Sequence, residues 1–216
     1  ERIRFTSPHP AFFNKRLIEC IANTPKICKY VHLPLQSGSD RILKAMNRPY
    51  TAEEYMNIVR SLKEKCNGNI AFSTDIIVGF PGETEEQFEE LCAFVGQMQF
   101  ERLGCFVFSP EEGTVAAQMK NQIPSSVGEH RRDVIMNQQF HITSRFAGRL
   151  VGKTIPVLVD EYDYEREQFV GRTTFDAPDI DCKVYFTAPA ATIGDFMQVE
   201  IVDLDEFDHI GKAVEP

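Results

Sequence analysis

The sequence has no tryptophan, no paired cysteines and no long apolar run. Its six cysteines are too far apart to share a metal cluster, at positions 20, 28, 66, 92, 105 and 182. Scattered thiols of this kind indicate small buried side chains in a reducing compartment, so we expect a cytoplasmic protein. No apolar run approaches the roughly 20 residues that span a bilayer, and we expect no membrane partner.

Common catalytic signatures are also missing. There is no Gly-x-x-x-x-Gly-Lys phosphate loop and no nucleophile elbow, which excludes P-loop nucleotide hydrolysis and serine-hydrolase chemistry. The sequence therefore predicts no catalytic acid or base and no metal ligand in this chain. The five histidines show no ligand spacing, and each is expected to be a packing or surface residue: His9, His32, His130, His141 and His209.

Acidic charge is concentrated at one end of the chain, whose formal net charge is −9. Residues 153–216 hold five basic and fifteen acidic side chains, whereas residues 1–152 hold eighteen basic and seventeen acidic ones. An acidic surface repels phosphate backbones and attracts basic partners. The C-terminal part therefore favours a basic protein as its partner over a nucleic acid.

Apolar periodicity up to about residue 150 predicts strands that alternate with helices. This order is typical of a parallel sheet with right-handed crossovers. Four strands are too few to close a barrel, and the chain opens directly in a strand-like run, so we expect a fragment of a longer protein. The predicted strands are 2–6, 30–35, 70–78 and 103–108, and the predicted helices are 12–21, 40–46, 52–66, 85–99 and 126–151.

The pattern changes at Lys153 to short strands separated by turn-rich segments. Five such strands in about 60 residues fit a small closed barrel of the oligonucleotide-binding type. We place the boundary at Gly152, which predicts one domain over 1–152 and a second over 153–216. The predicted barrel strands are 155–160, 169–174, 183–187, 196–202 and 209–214.

The most informative element is an apolar strand that ends in the Gly-Phe-Pro-Gly turn 79–82, followed by a helix capped by Thr84. Clefts at the carboxyl ends of strands are where α/β folds bind small molecules. The glycines let a ligand ring approach the backbone, while Ile77 and Val78 offer apolar contact. A ligand site and a plain βα turn both explain this element when it is considered alone.

Two further strand ends carry polar residues. After the strand predicted at 30–35, Gln36 has no capping role, whereas Ser39 or Asp40 is expected to cap the next helix. A site for a sugar or carboxylate and a simple helix cap both remain open there. The acidic pair in the third strand end, 108–114, fits either catalysis or a solvated loop.

Four long motifs cover these strand ends: RIRFTSPHP at 2–10, HLPLQSGSDRILKAMNR at 32–48, STDIIVGFPGETEEQFEEL at 73–91 and FSPEEGT at 108–114. Together they resemble the methylthiotransferase branch of the radical S-adenosylmethionine (SAM) enzymes, and the C-terminal barrel resembles that family's TRAM domain. The resemblance implies an α/β fold: a partial radical SAM (TIM-like) barrel of parallel strands, followed by a small all-β TRAM (OB-like) barrel.

The same resemblance implies S-adenosyl-L-methionine and two [4Fe–4S] clusters as cofactors. Family members bind one cluster through a Cys-x-x-x-Cys-x-x-Cys loop and the other in an N-terminal domain. Neither cysteine set is in this sequence, so we expect both to precede Glu1 in an intact enzyme and the chain alone to be inactive. The implied reaction cleaves SAM reductively; the resulting 5′-deoxyadenosyl radical abstracts hydrogen from an unactivated carbon, which then receives a methylthio group.

Motif position in the family also implies a set of SAM-contacting residues. Two lie near the ribose or the methionyl end, two point toward the barrel mouth, and five line the adenine. In that order the implied residues are Gln36 and Ser37; Ser73 and Asp75; and Ile77, Val78, Gly79, Phe108 and Ser109.

Two branches of the family compete for the substrate. Segments 2–10 and 32–43 are more similar to enzymes that modify a tRNA adenosine, whereas 102–117, 171–186 and 205–214 are more similar to those that modify an aspartate of a small-subunit ribosomal protein. The acidic C-terminal part favours the ribosomal protein over tRNA. A non-catalytic module that binds partners through its β-barrel is the alternative from another class. An open barrel edge at 2–6 further predicts self-association or marginal stability.

Overall fold

The computed structural model describes residues 1–214 and divides the chain into two compact units, one of Glu1–Ile142 and one that begins at Thr143. Short 3₁₀ turns occur at Pro10–Phe12 and Ala116–Gln118. The α-helices are α1 Lys15–Asn23, α2 Asp40–Ala45, α3 Ala52–Lys65, α4 Glu85–Met98 and α5 Ser125–Gly148.

The first unit contains a parallel sheet of three strands in the order β1-β2-β3, namely β1 Tyr30–His32, β2 Ala71–Val78 and β3 Arg102–Val107. This confirms the predicted α/β architecture with parallel strands. The expected strand at 2–6 is wrong, because that segment forms only an isolated bridge from Ile3 to Ile27. The extended backbone conformation ends at Ser7, whose φ is 40°, and the prolines that follow lack the backbone N–H groups that a strand needs for pairing.

Helix boundaries follow local capping chemistry. The side chain of Thr51 caps α3 and that of Thr84 caps α4, each within a reciprocal capping box, as their sequences predict. Helix α1 begins later than predicted because Asn14 accepts a hydrogen bond from the Leu17 N–H. The expected cap of α2 by Ser39 or Asp40 is confirmed in position, because Ser39 is its N-cap residue, although the Ser39 side chain makes no capping hydrogen bond. The Asp40 carboxylate instead accepts the Ala52 N–H of α3 at 2.7 Å.

One face of the parallel sheet is buried beneath helices. Phe72, Ile76 and Val78 of β2 have no exposed surface and belong to the hydrophobic core of this unit. Tyr55 of α3 lies in the same core, and its hydroxyl donates to the Leu33 carbonyl at 2.7 Å, which satisfies the one polar atom of a fully buried ring. The opposite face of the sheet carries the polar residues described below.

The second unit contains a closed five-stranded barrel in the order β4-β5-β6-β8-β7, which confirms the predicted all-β architecture. Its core consists mainly of valine, isoleucine and phenylalanine side chains with little or no exposure, such as Val157, Phe186 and Ile201. The strands are β4 Thr154–Asp163, β5 Gln168–Arg172, β6 Val184–Thr187, β7 Phe196–Asp205 and β8 Asp208–Ala213.

Candidate ligand site at the carboxyl edge of the parallel sheet

Backbone hydrogen bonds join the three predicted segments beyond the ends of the regular strands. The Gln36 N–H donates to the Asp75 carbonyl and the Ile77 N–H donates to the Gln36 carbonyl, both at 2.9 Å. On the other side of β2, the Phe108 N–H donates to the Val78 carbonyl at 2.9 Å. The three segments therefore lie side by side at one edge of the sheet.

The segment after β1 packs closely against α4. Gln36 has a left-handed backbone, with φ of 72°, and its side chain is half-buried. Ser37 is buried, and its hydroxyl accepts the Ser39 N–H at 3.2 Å. A Cβ on Gly38 would lie 2.9 Å from the Leu91 Cα, so only glycine allows this approach.

The predicted site residues of β2 are divided between the two faces of the sheet. Ser73, Asp75 and Ile77 alternate along the strand and therefore share the face away from the helices. In the parallel register, Asp75 is opposite Gly104 and Ile77 is opposite Phe106, which is 56% exposed. The Val78 side chain points the other way, into the hydrophobic core.

A polar network crosses the open face between β1 and β2. The Tyr30 hydroxyl donates to Ser73 Oγ at 2.8 Å, and Ser73 Oγ is 2.6 Å from His32 Nδ1. The other imidazole nitrogen, Nε2, is 3.3 Å from Asp75 Oδ2. Sequence reasoning treated His32 as a packing or surface residue and missed this contact. The signal available in the sequence was strand alternation: Tyr30 and His32 stand on either side of the buried Val31, so their side chains share the opposite face of the strand.

A buried carboxylate holds the turn that follows β2. Glu83 Oε2 accepts the Gly79 N–H at 2.7 Å and pairs with the Arg131 guanidinium at 2.8 Å. The Glu83 side chain is fully buried, and this burial raises the pKa of its carboxyl, outweighing the Gly79 N–H and the Arg131 charge. Arg131 also bonds Glu85 at 3.0 Å. No sequence pattern indicates a role for Arg131, which lies 48 residues from Glu83.

Aromatic rings line the end of β3. The Phe108 ring contacts the buried Phe80 ring edge-to-face, with centroids 5.2 Å apart. Ser109 is exposed, as are Glu111 and Glu112 in the loop beyond it. The exposure of the acidic pair agrees with a solvated loop.

The side chains of residues 1–214 include no group of three or more His, Cys, Asp and Glu that could hold a metal ion. Among the cysteines, Cys28, Cys66 and Cys105 are buried and Cys20 is exposed. Burial raises the pKa of the Cys105 thiol to about 12. Over the same described residues, no helix is both long and apolar enough to cross a membrane.

Two family models match the chain. Residues 1–95 match the model described as Radical SAM superfamily, and residues 151–214 match the model described as TRAM domain. A solved structure, coproporphyrinogen III oxidase (HemN) from Escherichia coli, is similar with a TM-score of 0.51 and 18% identity, over 67% of this chain and 32% of that chain. At this identity the likeness shows the fold alone, which is that of a radical SAM enzyme.

Curated relatives are far more similar in sequence. Ribosomal protein uS12 methylthiotransferase RimO of Geobacter sulfurreducens is 42% identical over 213 residues, 98% of this chain and 47% of that protein. The protein of the same name from Desulfitobacterium hafniense is 39% identical over 216 residues, 100% of this chain and 48% of that protein. The chain therefore spans about half the length of the curated relatives it matches.

The sequence and the fold lead to the same family. Both family models match in the order that the alternating and all-β patterns predict, and the relatives are similar along nearly the whole chain. Radical SAM enzymes use S-adenosylmethionine and iron–sulfur chemistry. The chain belongs to the RimO-type methylthiotransferases of the radical SAM superfamily.

Proposed function

We propose that this chain supplies part of the SAM site and the substrate-docking barrel of a methylthiotransferase that acts on an aspartate of ribosomal protein uS12. The observation that supports it most is the pair of backbone connections from β2 to Gln36 and to Phe108. They bring three family motifs to one sheet edge, where α/β folds bind nucleotides and related ligands.

The residues of this edge fit the chemistry of SAM. Its adenine is a flat apolar ring, for which Ile77 and Phe108 offer contact beside the buried backbone of Gly79. Its ribose and methionyl parts carry hydroxyl, ammonium and carboxylate groups, for which we propose the polar side chains of Gln36, Ser73 and Asp75. Ser37 and Val78 have buried side chains, so we propose that they contact the ligand through their backbone atoms. Ser109 would lie at the solvent-exposed end of the site.

The residues present do not fit an iron–sulfur cluster. The described part of the chain groups no three potential metal ligands, so its cysteines provide no cluster site. We propose that the intact enzyme carries two [4Fe–4S] clusters on ligands outside this chain. The same observation favours a narrower role for the chain by itself, as a module that binds ligand and partner without catalysis.

When bound, SAM supplies the radical and methyl-transfer chemistry of this family. The contribution of this chain is to bind and orient. The left-handed Gln36 fixes the backbone beside the end of β2, and the Glu83-anchored turn at Gly79 fixes the backbone that continues β2. The edge-to-face pair Phe80 and Phe108 forms a rigid apolar wall, which keeps water from one side of the ligand.

The charges of the barrel support a basic protein as substrate. Its basic side chains are largely neutralised by carboxylates: Arg166 by Asp205 at 2.9 Å, and Lys183 by Glu161 and Lys212 by Glu200, each at 3.1 Å. Arg172 also pairs with a carboxylate, that of Asp160. Few cations remain for phosphates, and the excess of acidic groups suits a Lys- and Arg-rich protein.

We also propose the domain division 1–152 and 153–216, with a cytoplasmic location where ribosomal proteins are modified. The TRAM match begins at residue 151, which supports this boundary. The division by compactness falls earlier, after Ile142, within helix α5.

The test is methylthio transfer by the full-length product of the gene, with iron–sulfur centres reconstituted, to purified uS12 and to tRNA in parallel. Mass spectrometry is expected to find the added group on a uS12 aspartate. A barrel variant with Glu165→Lys and Asp203→Lys is expected to raise KM for uS12, whereas Glu64→Lys on α3 is the matched control with an unchanged KM. Transfer to a tRNA adenosine with none to uS12 contradicts the proposal.

A further inference from the structure

His32 links two strands of the open sheet face and has no role in the site proposed above. We propose that His32 is a positioning residue, which holds the Asp75 carboxylate ready to accept a hydrogen bond from a donor group of the bound ligand. This inference rests on the proposed function, because it concerns the same SAM site. The contacts that carry it are His32 Nδ1 to Ser73 Oγ at 2.6 Å and His32 Nε2 to Asp75 Oδ2 at 3.3 Å.

The network defines the tautomer of the imidazole. A carboxylate is an acceptor only, so the Asp75 side favours the proton on Nε2. Nδ1 is then the acceptor of a hydrogen bond that the Ser73 hydroxyl donates, while Ser73 Oγ accepts one from the Tyr30 hydroxyl at 2.8 Å. The donors run in one direction from Tyr30 through Ser73 and His32 to Asp75. In proteins, the hydrogen bond at one imidazole nitrogen commonly orients the ring, so that the other nitrogen holds a neighbouring group in place.

The second carboxylate oxygen of Asp75 is confined by β3. A Cβ on Gly104 would lie 2.9 Å from Asp75 Oδ1, and 3.0 Å from a ring carbon of Phe106. The absence of a side chain at Gly104 therefore makes the space that Oδ1 occupies. With His32 against Oδ2 and Gly104 beneath Oδ1, the carboxylate has little freedom, yet its side chain is 37% exposed and open to a ligand.

The ligand group must be a hydrogen-bond donor, since a carboxylate cannot donate. Next along the strand, Ile77 and the exposed Phe106 form an apolar layer that suits a nucleoside base. A ligand that carries a nucleoside base and, beside it, a hydrogen-bond donor matches this arrangement of an apolar layer next to a carboxylate. Both the ribose hydroxyls and the methionyl ammonium of SAM are such donors, and the experiment separates them.

The experiment measures binding of S-adenosylhomocysteine, which carries both donors, and 5′-methylthioadenosine, which has only the ribose, to the 216-residue chain by calorimetry. His32→Asn keeps a polar atom near Ser73 but loses the contact with Asp75. It is expected to weaken the binding of S-adenosylhomocysteine about tenfold or more. His32→Gln can reach Asp75 and is expected to stay within about threefold of wild type. A loss with both ligands assigns the ribose, and a loss with S-adenosylhomocysteine alone assigns the ammonium.

Two further variants separate positioning from folding. His130→Gln, on the exposed surface of α5, is the histidine control and is expected to leave affinity unchanged. Gly104→Ala leaves His32 in place but displaces Asp75 Oδ1, and it is expected to weaken binding as His32→Asn does. Imidazole ¹⁵N spectra should show the Nε2-protonated form of His32, with that preference lost in Asp75→Asn.

The outcomes are distinguishable. Wild-type binding with unchanged affinity in His32→Asn and Gly104→Ala overturns the positioning role and leaves the proposed function standing. Equal losses in His32→Gln and His32→Asn, with no tautomer preference, also overturn it. If the wild-type chain binds neither ligand, the SAM site fails and this inference fails with it.

Discussion

The buried carboxylate of Glu83 accepts the backbone N–H of Gly79 at 2.7 Å and so closes the turn at the end of β2. The same oxygen pairs with Arg131 of helix α5 at 2.8 Å, and the two side chains are 0% and 5% exposed. The local shape of the candidate site thus depends on a contact between residues far apart in sequence.

Removal of one partner of this pair is expected to be costly. Glu83→Ala leaves the Arg131 guanidinium and the Gly79 N–H short of an acceptor in a buried site, and we expect a loss of about 3–5 kcal/mol of unfolding free energy. Urea denaturation measures it. The exposed Glu90→Ala, on the next helix, is the control, with an expected change below about 0.5 kcal/mol. A loss below about 1 kcal/mol for Glu83→Ala contradicts the interpretation.

The pH dependence of the Glu83→Gln variant has a defined sign. Burial raises the pKa of Glu83 above its ordinary value of 4.5. A carboxyl whose pKa is higher in the folded than in the unfolded state contributes most to stability when protonated, and that contribution is lost as pH rises through the folded pKa. The wild type should therefore gain stability relative to Glu83→Gln as pH falls from 7 toward 4.5. Denaturation at several pH values measures this, and a gain in the opposite direction contradicts it.

Alanine substitutions at two glycines of the same turn should separate the effect of backbone strain on stability from the effect of steric crowding. Gly79 and Gly82 have similar φ values of 74° and 81°, but only at Gly79 would a Cβ meet another backbone, 3.3 Å from the Gly128 Cα. Gly82→Ala should therefore cost about 1 kcal/mol for its φ alone. Gly79→Ala should cost about 1–3 kcal/mol more and also reduce ligand affinity. Equal losses of unfolding free energy in the two variants would contradict this, because they would show that α5 moves away from residue 79 at little cost.

Thiol chemistry should distinguish the cysteines by burial. With a pKa of about 12, Cys105 is almost entirely protonated at pH 8, and it is also buried. We expect iodoacetamide to label the exposed Cys20 first and Cys105 only after unfolding, as read by peptide mass spectrometry. Labelling in urea is the control for reagent access. Early labelling of Cys105 in the native chain would contradict its burial.

Iron and sulfide offered anaerobically to the 216-residue chain should form no stable cluster, because its described cysteines are not grouped with other ligands. The measurement is the visible absorbance of a [4Fe–4S] centre after desalting. A stable centre that is lost in a Cys92→Ser variant would contradict this and relocate the cofactor chemistry into this chain. Chelator treatment should likewise leave the stability of the chain unchanged.

Much of the fold could be predicted from local patterns. The Thr-x-x-Glu sequence at Thr51 predicted a capping box that the structure contains, and the turn-rich segment after Lys153 predicted a barrel. Strand 2–6 was predicted wrongly because apolar alternation says nothing about a partner, and the segment finds only one bridge. Element type is local information, whereas pairing is not.

The site could be predicted only where its residues belong to recognisable motifs. Ser73 and Asp75 were predicted because they lie in the family motif at 73–91, but Arg131 and Gly104 act through contacts between distant segments, which no sequence period reveals. The contacts of His32 were missed because its partner Ser73 lies 41 residues away. A search for ligand spacing along one element cannot find a network built across two strands.

Three strand ends should form one nucleoside site. Amide chemical-shift mapping of the 216-residue chain with S-adenosylhomocysteine tests this arrangement. We expect the largest shifts to cluster at Gln36, Gly79 and Ser109 together. Shifts confined to the separate cavity of about 400 Å³ lined by Phe13, Tyr50 and Ile58, or no shifts at any of the three strand ends, would contradict it.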